Sequence, residues 1–247
     1  MKKLSIITIV YNGEKYIKST IESVIHQNYP NIEYIIIDGG SSDQTLNIIN
    51  TFQKTAYLKL ISEKDKGISD AFNKGLKLAT GDVVGLINAD DWYESGAFMS
   101  VMKEMDNPST DIVYGDMRYH TNQNQTFIKE GKHERLKYEM TVNHPTVFVK
   151  RRCYVETGYF NLNYKCAMDY DLMLRFLKNN YSFKHLPIII SNMRLEGLSD
   201  QRWMMGIKEV RDIKTAHFGN AFWNHLYMIK QAIAIVVSKT RRKLFLK

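Results

Sequence analysis

The sequence predicts an α/β protein with a mostly parallel sheet covered by helices on both faces, a small antiparallel second half and a C-terminal helical tail. Short β-branched runs alternate with amphipathic segments as far as Asn88, which is typical of a parallel sheet between two layers of helices. After Asp91 this alternation stops and the pattern becomes α+β. A chain of 247 residues with 44% hydrophobic content is long enough for one continuous domain with such an extension.

The elements of the first half follow from the spacing of apolar residues. Leu4–Val10 is an apolar run too short for a signal-peptide core, and it predicts a buried first strand. Helical periodicity predicts a helix over Glu14–Gln27, and β-branched residues predict a strand over Glu33–Asp38. The same signals predict a helix over Gln44–Thr55, a strand over Leu58–Ser62, a helix over Ser69–Ala79 and a strand over Val83–Asn88.

The second half is predicted to be α+β. A polar turn at residues 122–124 separates two candidate antiparallel strands. The full set is a helix over Gly96–Met105, strands over Asp111–Tyr119 and Gln125–Lys129, a helix over Tyr170–Asn179, a strand over Ser182–Ile190 and a long helical tail.

Composition and charge limit the classes of function and partner. Cys153 and Cys166 are too few for a disulfide framework, which favours a reducing compartment, and no run approaches the roughly 18 apolar residues of a membrane span. Residues 201–247 carry ten Lys or Arg and two acids, which equals the whole excess of +8, so the first 200 residues are neutral. A nucleic-acid reader would have a basic folded domain, so nucleic acid is excluded as a partner. We therefore divide the chain into a domain at 1–200 and a basic tail at 201–247.

Polar clusters follow four predicted strands, where an open α/β sheet binds its ligands. They are Thr8-Ile9-Val10-Tyr11-Asn12, residues 38–43, residues 63–67 and Asn88-Ala89-Asp90-Asp91. In the second cluster, Asp38 has two interpretations. Asp and Gly favour turns, and Asp38 is also a candidate acceptor for a nucleobase edge, with the glycines allowing close backbone approach.

The loop Lys66-Gly67-Ile68-Ser69 leads into a predicted helix. Backbone amides and a lysine at a helix N-terminus are typical of anion sites, so we predict phosphate recognition here. Helical spacing places Asp70, Asn73 and Lys77 along one side of that helix. The alternative is an ordinary solvated face.

Asp90 and Asp91 are the sharpest signal, because two adjacent acids directly after an apolar strand are costly to bury without a counter-charge. Mg²⁺ and Mn²⁺ prefer carboxylate and phosphate oxygens and take one or two protein carboxylates. We therefore predict a divalent metal site, with a helix-capping acid pair as the alternative.

Asp169 and His144 are candidates in the second half. Asp169 begins a predicted helix, where a carboxylate is either a cap or a general base that takes a proton from an acceptor hydroxyl. His144 is a candidate for contacting a pyrophosphate or helping to hold the metal, although a lone histidine is often structural.

Taken in order, these motifs resemble the inverting family-2 glycosyltransferases with the Rossmann-like GT-A fold, the group that builds bacterial O-antigens and exopolysaccharides. The resemblance covers roughly residues 3–200. It rests on residues 8–12, 38–43, 63–75, 81–82, 88–91, 144 and 168–175.

The resemblance implies a role for each motif residue. Thr8, Tyr11 and Asp38 would hold the base and ribose; Asp65, Asp70 and Lys74 would lie on the donor side; and Asp169 would deprotonate the acceptor. The full predicted set of nucleotide-sugar contacts is Thr8, Val10, Tyr11, Asp38, Asp65, Gly67, Asp70, Asn73, Lys74, Asn88, Ala89, Asp90 and His144, with Asp90 and Asp91 as metal ligands. Two positions depart from the family pattern: Asn88 stands where many relatives have an acid, and Met168 where many have Glu.

The resemblance also implies a reaction and its partners. A hexose would pass from a nucleotide diphosphate to a hydroxyl of a lipid-linked or oligosaccharide acceptor by a single inverting displacement. UDP is the first candidate for the nucleotide, and Mn²⁺ or Mg²⁺ would be the cofactor. From Trp203 onward, aromatic and aliphatic residues precede Lys239-Thr240-Arg241-Arg242-Lys243, which suits a helix on an anionic membrane surface. We expect peripheral association with the cytoplasmic face of the membrane. The alternative is a helix docked on its own domain or in a homodimer.

Three competing classes were weighed. A dinucleotide-dependent oxidoreductase would carry G-x-G-x-x-G after the first strand, where this chain has only Gly13. A nucleotidyltransferase would carry a Gly-rich basic loop there, and Tyr11-Asn12-Gly13-Glu14 is not one. A noncatalytic nucleotide-sugar-binding scaffold is the remaining alternative, although binding alone needs no base such as Asp169.

Overall fold

The computed structural model describes residues 1–121, 123, 125–195 and 203–245. Its strands are β1 (Leu4–Val10), β2 (Ile32–Asp38), β3 (Leu58–Ser62), β4 (Val83–Asn88), β5 (Trp92–Tyr93), β6 (Ile112–His120), β7 (Thr126–Lys129), β8 (Phe148–Lys150) and β9 (Phe183–Arg194). Its α-helices are α1 (Ile17–Ile25), α2 (Thr45–Asn50), α3 (Ile68–Leu78), α4 (Ala97–Met105), α5 (Arg151–Thr157), α6 (Met168–Lys178), α7 (Trp203–Phe218) and α8 (Ala221–Phe245). Two 3₁₀ turns lie at His133–Arg135 and His144–Thr146.

One sheet runs through the described residues in the order β3-β2-β1-β4-β8-β6-β9-β5. The β7 strand pairs with the C-terminal part of β6, from Met117 to His120. The first four strands are parallel, and β8 lies antiparallel between β4 and β6. The β6 and β7 strands form an antiparallel pair, as predicted. The predicted α/β class with a mostly parallel sheet is confirmed.

The sheet is buried between two apolar layers because successive side chains of a strand point to opposite faces. In β1, Ile7 and Ile9 pack on the side of α3 and α6, whereas Ile6 and Val10 pack on the side of α1 and α4. This arrangement places the carboxyl ends of β1, β2, β3 and β4 at one edge, where the predicted polar clusters lie.

The second half differs from the prediction in several elements. The predicted strand over Ser182–Ile190 continues to Arg194 and pairs in parallel with β6. Its polar extension is buried, with Ser191 and Asn192 at most 1% exposed, so no apolar run marked it. The elements β8 and α5 were not predicted. In the first half of the chain, the predicted helix over residues 44–55 is shortened to α2. Asn122 and Asn124 of the predicted turn lie outside the described residues.

The first tail helix packs on the α/β domain. Ile213 of α7 is fully buried in the same apolar layer as α6. Lys178 donates from Nζ to the His217 carbonyl at 2.7 Å, and His217 Nε2 lies 3.0 Å from Asp171 Oδ1. For α7, the structure therefore has the docked arrangement that the sequence left open.

The second tail helix presents an apolar surface. Phe222 and Trp223 at the start of α8 are each 68% exposed, and Ile233 is 59% exposed. Within the described part of the chain, no helix is both long and apolar enough to span a bilayer.

Candidate active site

A cavity of about 550 Å³ opens at the carboxyl ends of β1 and β4. The loop that leads into α3 and the segment that precedes α6 both line it, and the two meet where Ser69 Oγ donates to the Tyr164 carbonyl at 3.1 Å. The lining residues are Ile9, Val10, Tyr11, Asn12, Gly13, Tyr16, Asp65, Lys66, Gly67, Ile68, Ser69, Ala71, Asn88, Ala89, Asp90, Leu162, Tyr164, Lys165 and Met193. Seven of the predicted nucleotide-sugar contacts are among them: Val10, Tyr11, Asp65, Gly67, Asn88, Ala89 and Asp90.

Asp38 stabilises the turn after β2. Its fully buried carboxylate accepts hydrogen bonds from the Gly40 and Ser41 amides at 3.1 Å and from Ser62 Oγ at 2.7 Å. The Ser41 hydroxyl is a further donor. In the structure, Asp38 therefore forms the turn, which is one of its two predicted roles. Its contact with a nucleobase stays a prediction.

The loop between β3 and α3 is shaped by its own acids. Asp65 Oδ1 accepts the Gly67 amide at 2.8 Å, and Asp70 Oδ2 accepts the Lys66 amide at 3.0 Å. Gly67 has φ 112°, a left-handed conformation that glycine adopts readily. Lys74 Nζ lies 2.9 Å from Glu63 Oε1, behind the loop. Asp70 and Lys74 thus support the wall of the cavity without lining it.

Thr8 and Asn73 are occupied by protein partners. Thr8 is fully buried, with Oγ1 2.9 Å from the Tyr34 hydroxyl. Asn73 donates from Nδ2 to the Phe160 carbonyl and accepts the Phe160 amide, both at 2.9 Å. These side chains hold β1 and the segment before α6 in place, so direct contact with a donor remains a prediction for both.

In the acid pair after β4, Asp90 is partly buried and Asp91 is fully buried. Asp90 lines the cavity, and burial raises the pKa of its carboxyl. Asp91 is fully buried, and burial, followed by the Asp90 charge, raises its pKa well above the ordinary range. Asp91 Oδ2 accepts a hydrogen bond from the side-chain Nδ2 of Asn88 at 3.2 Å, whereas Oδ1 has no hydrogen-bond partner among the described residues. Hard oxygen ligands with one unpaired buried oxygen fit a divalent cation.

Asp169 lies in the first turn of α6, as predicted. Burial raises the pKa of Asp169 to about 6, although its Oδ1 accepts the Tyr170 amide at 2.8 Å. Such a pKa suits a general base that works near neutral pH.

Tyr119 is a phenol whose titration is affected by Asp91 and by Asp169. Burial, with added repulsion from the Asp91 and Asp169 charges, raises the pKa of Tyr119 to about 12. Its hydroxyl donates to Asn143 Oδ1 at 2.8 Å, and Asn143 Nδ2 is buried without a hydrogen-bond partner among the described residues. The charges of Asp91 and Asp169 therefore both act on this phenol.

His144 is a neutral imidazole. Burial lowers its pKa to about 4, and its ring centroid lies 5.1 Å from that of Phe72 and 6.1 Å from that of Phe160. Its Nε2 has no hydrogen-bond partner in the described part of the chain. Contact with a pyrophosphate would therefore be a neutral hydrogen bond, and it stays a prediction.

Several residues near the cavity were not predicted. The Arg194 guanidinium carbon lies 4.3 Å from the ring centroids of both Tyr16 and Trp92, and its Nη1 donates to the Asp90 carbonyl. Arg194 was missed because the predicted strand ended at Ile190. Lys165 was missed because an isolated lysine carries no motif signal.

The comparisons with known proteins agree with this fold. The profile of glycosyl transferase family 2 matches residues 5–190, so the chain belongs to that family. A PGL/p-HBAD biosynthesis glycosyltransferase of Mycobacterium bovis is 30% identical over 179 residues, which are 71% of this chain and 70% of that protein. The chondroitin synthase of Escherichia coli is 30% identical over 208 residues, 80% of this chain and 30% of the synthase.

Solved structures confirm the GT-A fold. S. aureus TarS 1–349 in complex with UDP-GlcNAc aligns with a TM-score of 0.70 at 20% identity, over 90% of this chain and 69% of that one. The mannosyltransferase PcManGT from Pyrobaculum calidifontis, in complex with GDP-Man and Mn²⁺, aligns with a TM-score of 0.67 at 17% identity, over 97% of this chain and 75% of that one.

Proposed function

We propose that this chain moves a sugar from a nucleotide diphosphate donor to an acceptor hydroxyl with inversion of the anomeric centre. A hexose is the first candidate for the sugar, and UDP is the first candidate for the nucleotide. The observation that carries the proposal is the cavity that Asp90 lines and whose lining residue Lys165 leads into the first turn of α6, where Asp169 lies. A displacement with an anionic leaving group and a hydroxyl nucleophile needs a charge-stabilising site and a base close together.

The cavity suits a nucleoside diphosphate. The Tyr11 side chain is 65% exposed and supplies an aromatic face for a base. Lys66 and Lys165 both line the cavity, and Ile68 and Ser69 at the N-terminus of α3 line it as well. Gly39 lies against the loop wall, since a Cβ there would stand 2.4 Å from Asp65 Oδ2. These features support binding of the base near β1 and of the diphosphate near the loop before α3.

A divalent cation, Mn²⁺ or Mg²⁺, would be held by Asp90 and Asp91 together with diphosphate oxygens. When bound, such an ion stabilises the charge of a leaving diphosphate as a Lewis acid. The described residues contain no group of three or more His, Cys, Asp or Glu side chains in metal-binding positions, which agrees with a site completed by the donor. The Mn²⁺ in the PcManGT complex supports the same assignment.

Asp169 is proposed as the base. Its carboxylate would take the proton of the acceptor hydroxyl as the oxygen attacks the anomeric carbon, and the bond to the diphosphate would break in the same step. Inversion follows from a single displacement. Because no covalent intermediate is formed, no nucleophilic side chain is required.

The acceptor is proposed to be a lipid-linked or oligosaccharide hydroxyl, reached at the cytoplasmic face of a membrane. The exposed apolar residues of α8 precede the basic cluster at residues 239–243, and aromatic residues beside basic ones suit an anionic lipid surface. The glycan synthase named above supports a sugar acceptor. A homodimer formed through α8 is the alternative use of this surface.

The test is donor hydrolysis and thermal stabilisation across UDP-, GDP- and dTDP-sugars, with Mn²⁺, with Mg²⁺ and with a chelator. We expect one nucleotide sugar to stabilise the protein and to be hydrolysed only when metal is present. If a nucleotide sugar stabilises the protein but is never consumed, even with added glycan and lipid-linked acceptors, the noncatalytic scaffold is the better account. If no nucleotide binds, both are excluded.

A further inference from the structure

A carboxylate from the tail binds the backbone directly before the proposed catalytic helix. Glu209 of α7 accepts the Lys165 amide on Oε1 at 2.9 Å. Its Oε2 accepts the Cys166 and Ala167 amides, each at 2.8 Å. One side chain thus satisfies three consecutive backbone donors, more than forty residues away along the chain.

These donors need a partner from elsewhere. The first amides of a helix lack intrahelical acceptors, and the N-cap residue of α6 is Ala167, which has no polar side chain. Hydrogen bonds to a carboxylate are roughly twice as strong as neutral ones, and negative charge at a helix N-terminus is favourable. Of these amides, Glu209 accepts that of the N-cap residue Ala167, and it also holds the Lys165 and Cys166 amides of the segment directly before the helix.

The capped segment lies between two parts of the proposed site. Lys165 lines the cavity, together with Leu162 and Tyr164. Asp169 follows two residues after the last capped amide. A movement of this backbone would shift both the cavity wall and the proposed base.

The position of Glu209 is fixed by the packing of α7. Ile213, one turn further along, is fully buried, and Lys214 Nζ donates to the Tyr138 carbonyl at 3.0 Å. Glu209 is therefore presented to the segment by a helix that is anchored independently.

The charge of Glu209 also acts on Asp169. Burial is the main cause of the raised Asp169 pKa, and Glu209 raises it further, whereas Lys129 of β7 lowers it. Tyr119 of β6 is the other titratable group whose interaction with Asp169 is resolved, and it stays neutral. Removing the charge of Glu209 should therefore lower the Asp169 pKa.

We propose that Glu209 is a positioning residue for the glycosyl transfer, which holds residues 165–167 so that Lys165 and Asp169 reach the reacting groups. This inference rests on the proposed function. It makes α7 part of the active site, although the residue itself lies outside the region that matches the family profile.

The test compares Glu209→Gln and Glu209→Ala with Asp212→Asn. Asp212 lies on the same helix and is 53% exposed, and Arg211 is its ion-pair partner, so the control removes the same charge without touching the capped segment. Each variant is examined by steady-state kinetics at several pH values, by amide hydrogen exchange at residues 165–169 and by thermal unfolding.

We expect kcat to fall roughly tenfold or more in both Glu209 variants, since misplacement of a catalytic group by about 1 Å can cost about 10²-fold. Amide exchange should accelerate at residues 165–167, most in Glu209→Ala, and the acid limb of the pH profile should move to lower pH. Asp212→Asn should match wild type in all three measurements. If Glu209→Ala unfolds, Glu209→Gln alone decides.

Unchanged kcat, exchange and pH profile in a folded Glu209→Gln protein, with an active wild type, would overturn this inference and leave the proposed function intact. An acid limb that does not move, despite lower kcat, would overturn it as well, because simple loss of fold lowers activity without shifting the limb. A wild type that consumes no nucleotide sugar would overturn the proposed function and the inference with it.

Discussion

Asp169 is a partly buried carboxylate whose protonation decides whether the proposed base can work. Its pKa is raised to about 6, so the residue is deprotonated above that pH and protonated below it. We predict that kcat/KM falls tenfold for each pH unit below about 6. The measurement is a pH–rate profile with saturating metal. A profile flat down to pH 4 would contradict the assignment, provided that the protein remains folded there.

The same shift predicts a stability effect with a definite sign. A carboxyl whose folded pKa is raised favours the folded state at pH below the unfolded value near 4, and this contribution is lost as pH rises through about 6. We therefore predict that Asp169→Asn stabilises the protein at pH 8 by up to about 3 kcal/mol and has little effect near pH 4. Urea unfolding at the two pH values checks this. Equal effects at both pH values would show that Asp169 is not desolvated.

Asp38 offers a test that separates folding from ligand contact. Its carboxylate accepts two amides and two hydroxyls, so Asp38→Ala should lower the free energy of unfolding by about 2–4 kcal/mol without any donor present. Asp65→Ala is the comparison, because Asp65 lines the cavity and accepts one loop amide. A smaller loss in Asp38→Ala than in Asp65→Ala would contradict the turn function.

At the scale of single residues, the sequence predicted where polar groups gather better than what each one contacts. Polar clusters after parallel strands must meet at one edge of a sheet, and Tyr11, Asp65, Asn88 and Asp90 do. The partners of Asn73 and Glu209 lie about ninety and forty residues away in the chain, and no local pattern marks such pairs.

The α3 helix lies close to β1 because it carries a glycine at the contact. A Cβ on Gly75 would stand 2.4 Å from Ile7 Cγ2. We predict that Gly75→Ala destabilises the fold by about 1–3 kcal/mol, although alanine favours a helix. Gly206→Ala on α7 is the matched control. Its Cβ would lie 3.7 Å from Cys166 Cβ, an ordinary contact, so helix propensity should make it neutral or stabilising.

Thermal or urea unfolding of the two glycine variants checks this contrast. Equal destabilisation by Gly75→Ala and Gly206→Ala would show that the α3–β1 contact is not close-packed.

Elements were predictable where they were long and periodic. The strands β1 to β4 and the helices α1, α3, α4 and α6 were placed close to their observed bounds because apolar periodicity marks them. The strand β8 has three residues, too few to show a period, and α5 follows it directly. The end of β9 is polar and buried by pairing with β5 and β6, which is a property of the whole sheet.

For the molecule as a whole, the uneven charge separates a neutral domain, residues 1–200, from a basic tail, residues 201–247. In the structure, the two helices of that tail differ in their contacts. The first tail helix, α7, is docked through Ile213 and Glu209, whereas α8 leaves Phe222 and Trp223 exposed. Composition could predict the basic tail. It could not predict that half of the tail completes the domain, because docking depends on complementary surfaces that are distant in sequence.

We predict that α8 binds anionic membranes. The double variant Phe222→Ala, Trp223→Ala should reduce binding to phosphatidylglycerol-containing vesicles at least tenfold, and salt should weaken the binding of wild type. Met99→Ala is the control, since Met99 is an exposed apolar residue on α4. Vesicle co-sedimentation measures both. The surface would instead be assigned to contact with a second copy if the wild-type protein does not bind vesicles but sediments as a dimer, and if the double variant disrupts that dimer.

Asp90 and Asp91 are proposed to serve donor binding whereas Asp169 is proposed to serve chemistry, and one experiment separates the two roles. Donor affinity by calorimetry and turnover are measured with Mn²⁺ for wild type, Asp91→Ala and Asp169→Asn. We expect Asp91→Ala to lose metal-dependent donor binding, and Asp169→Asn to keep the donor affinity while kcat falls by roughly 10²–10⁴. Full turnover in Asp169→Asn, or unchanged metal-dependent binding in Asp91→Ala, would contradict the account.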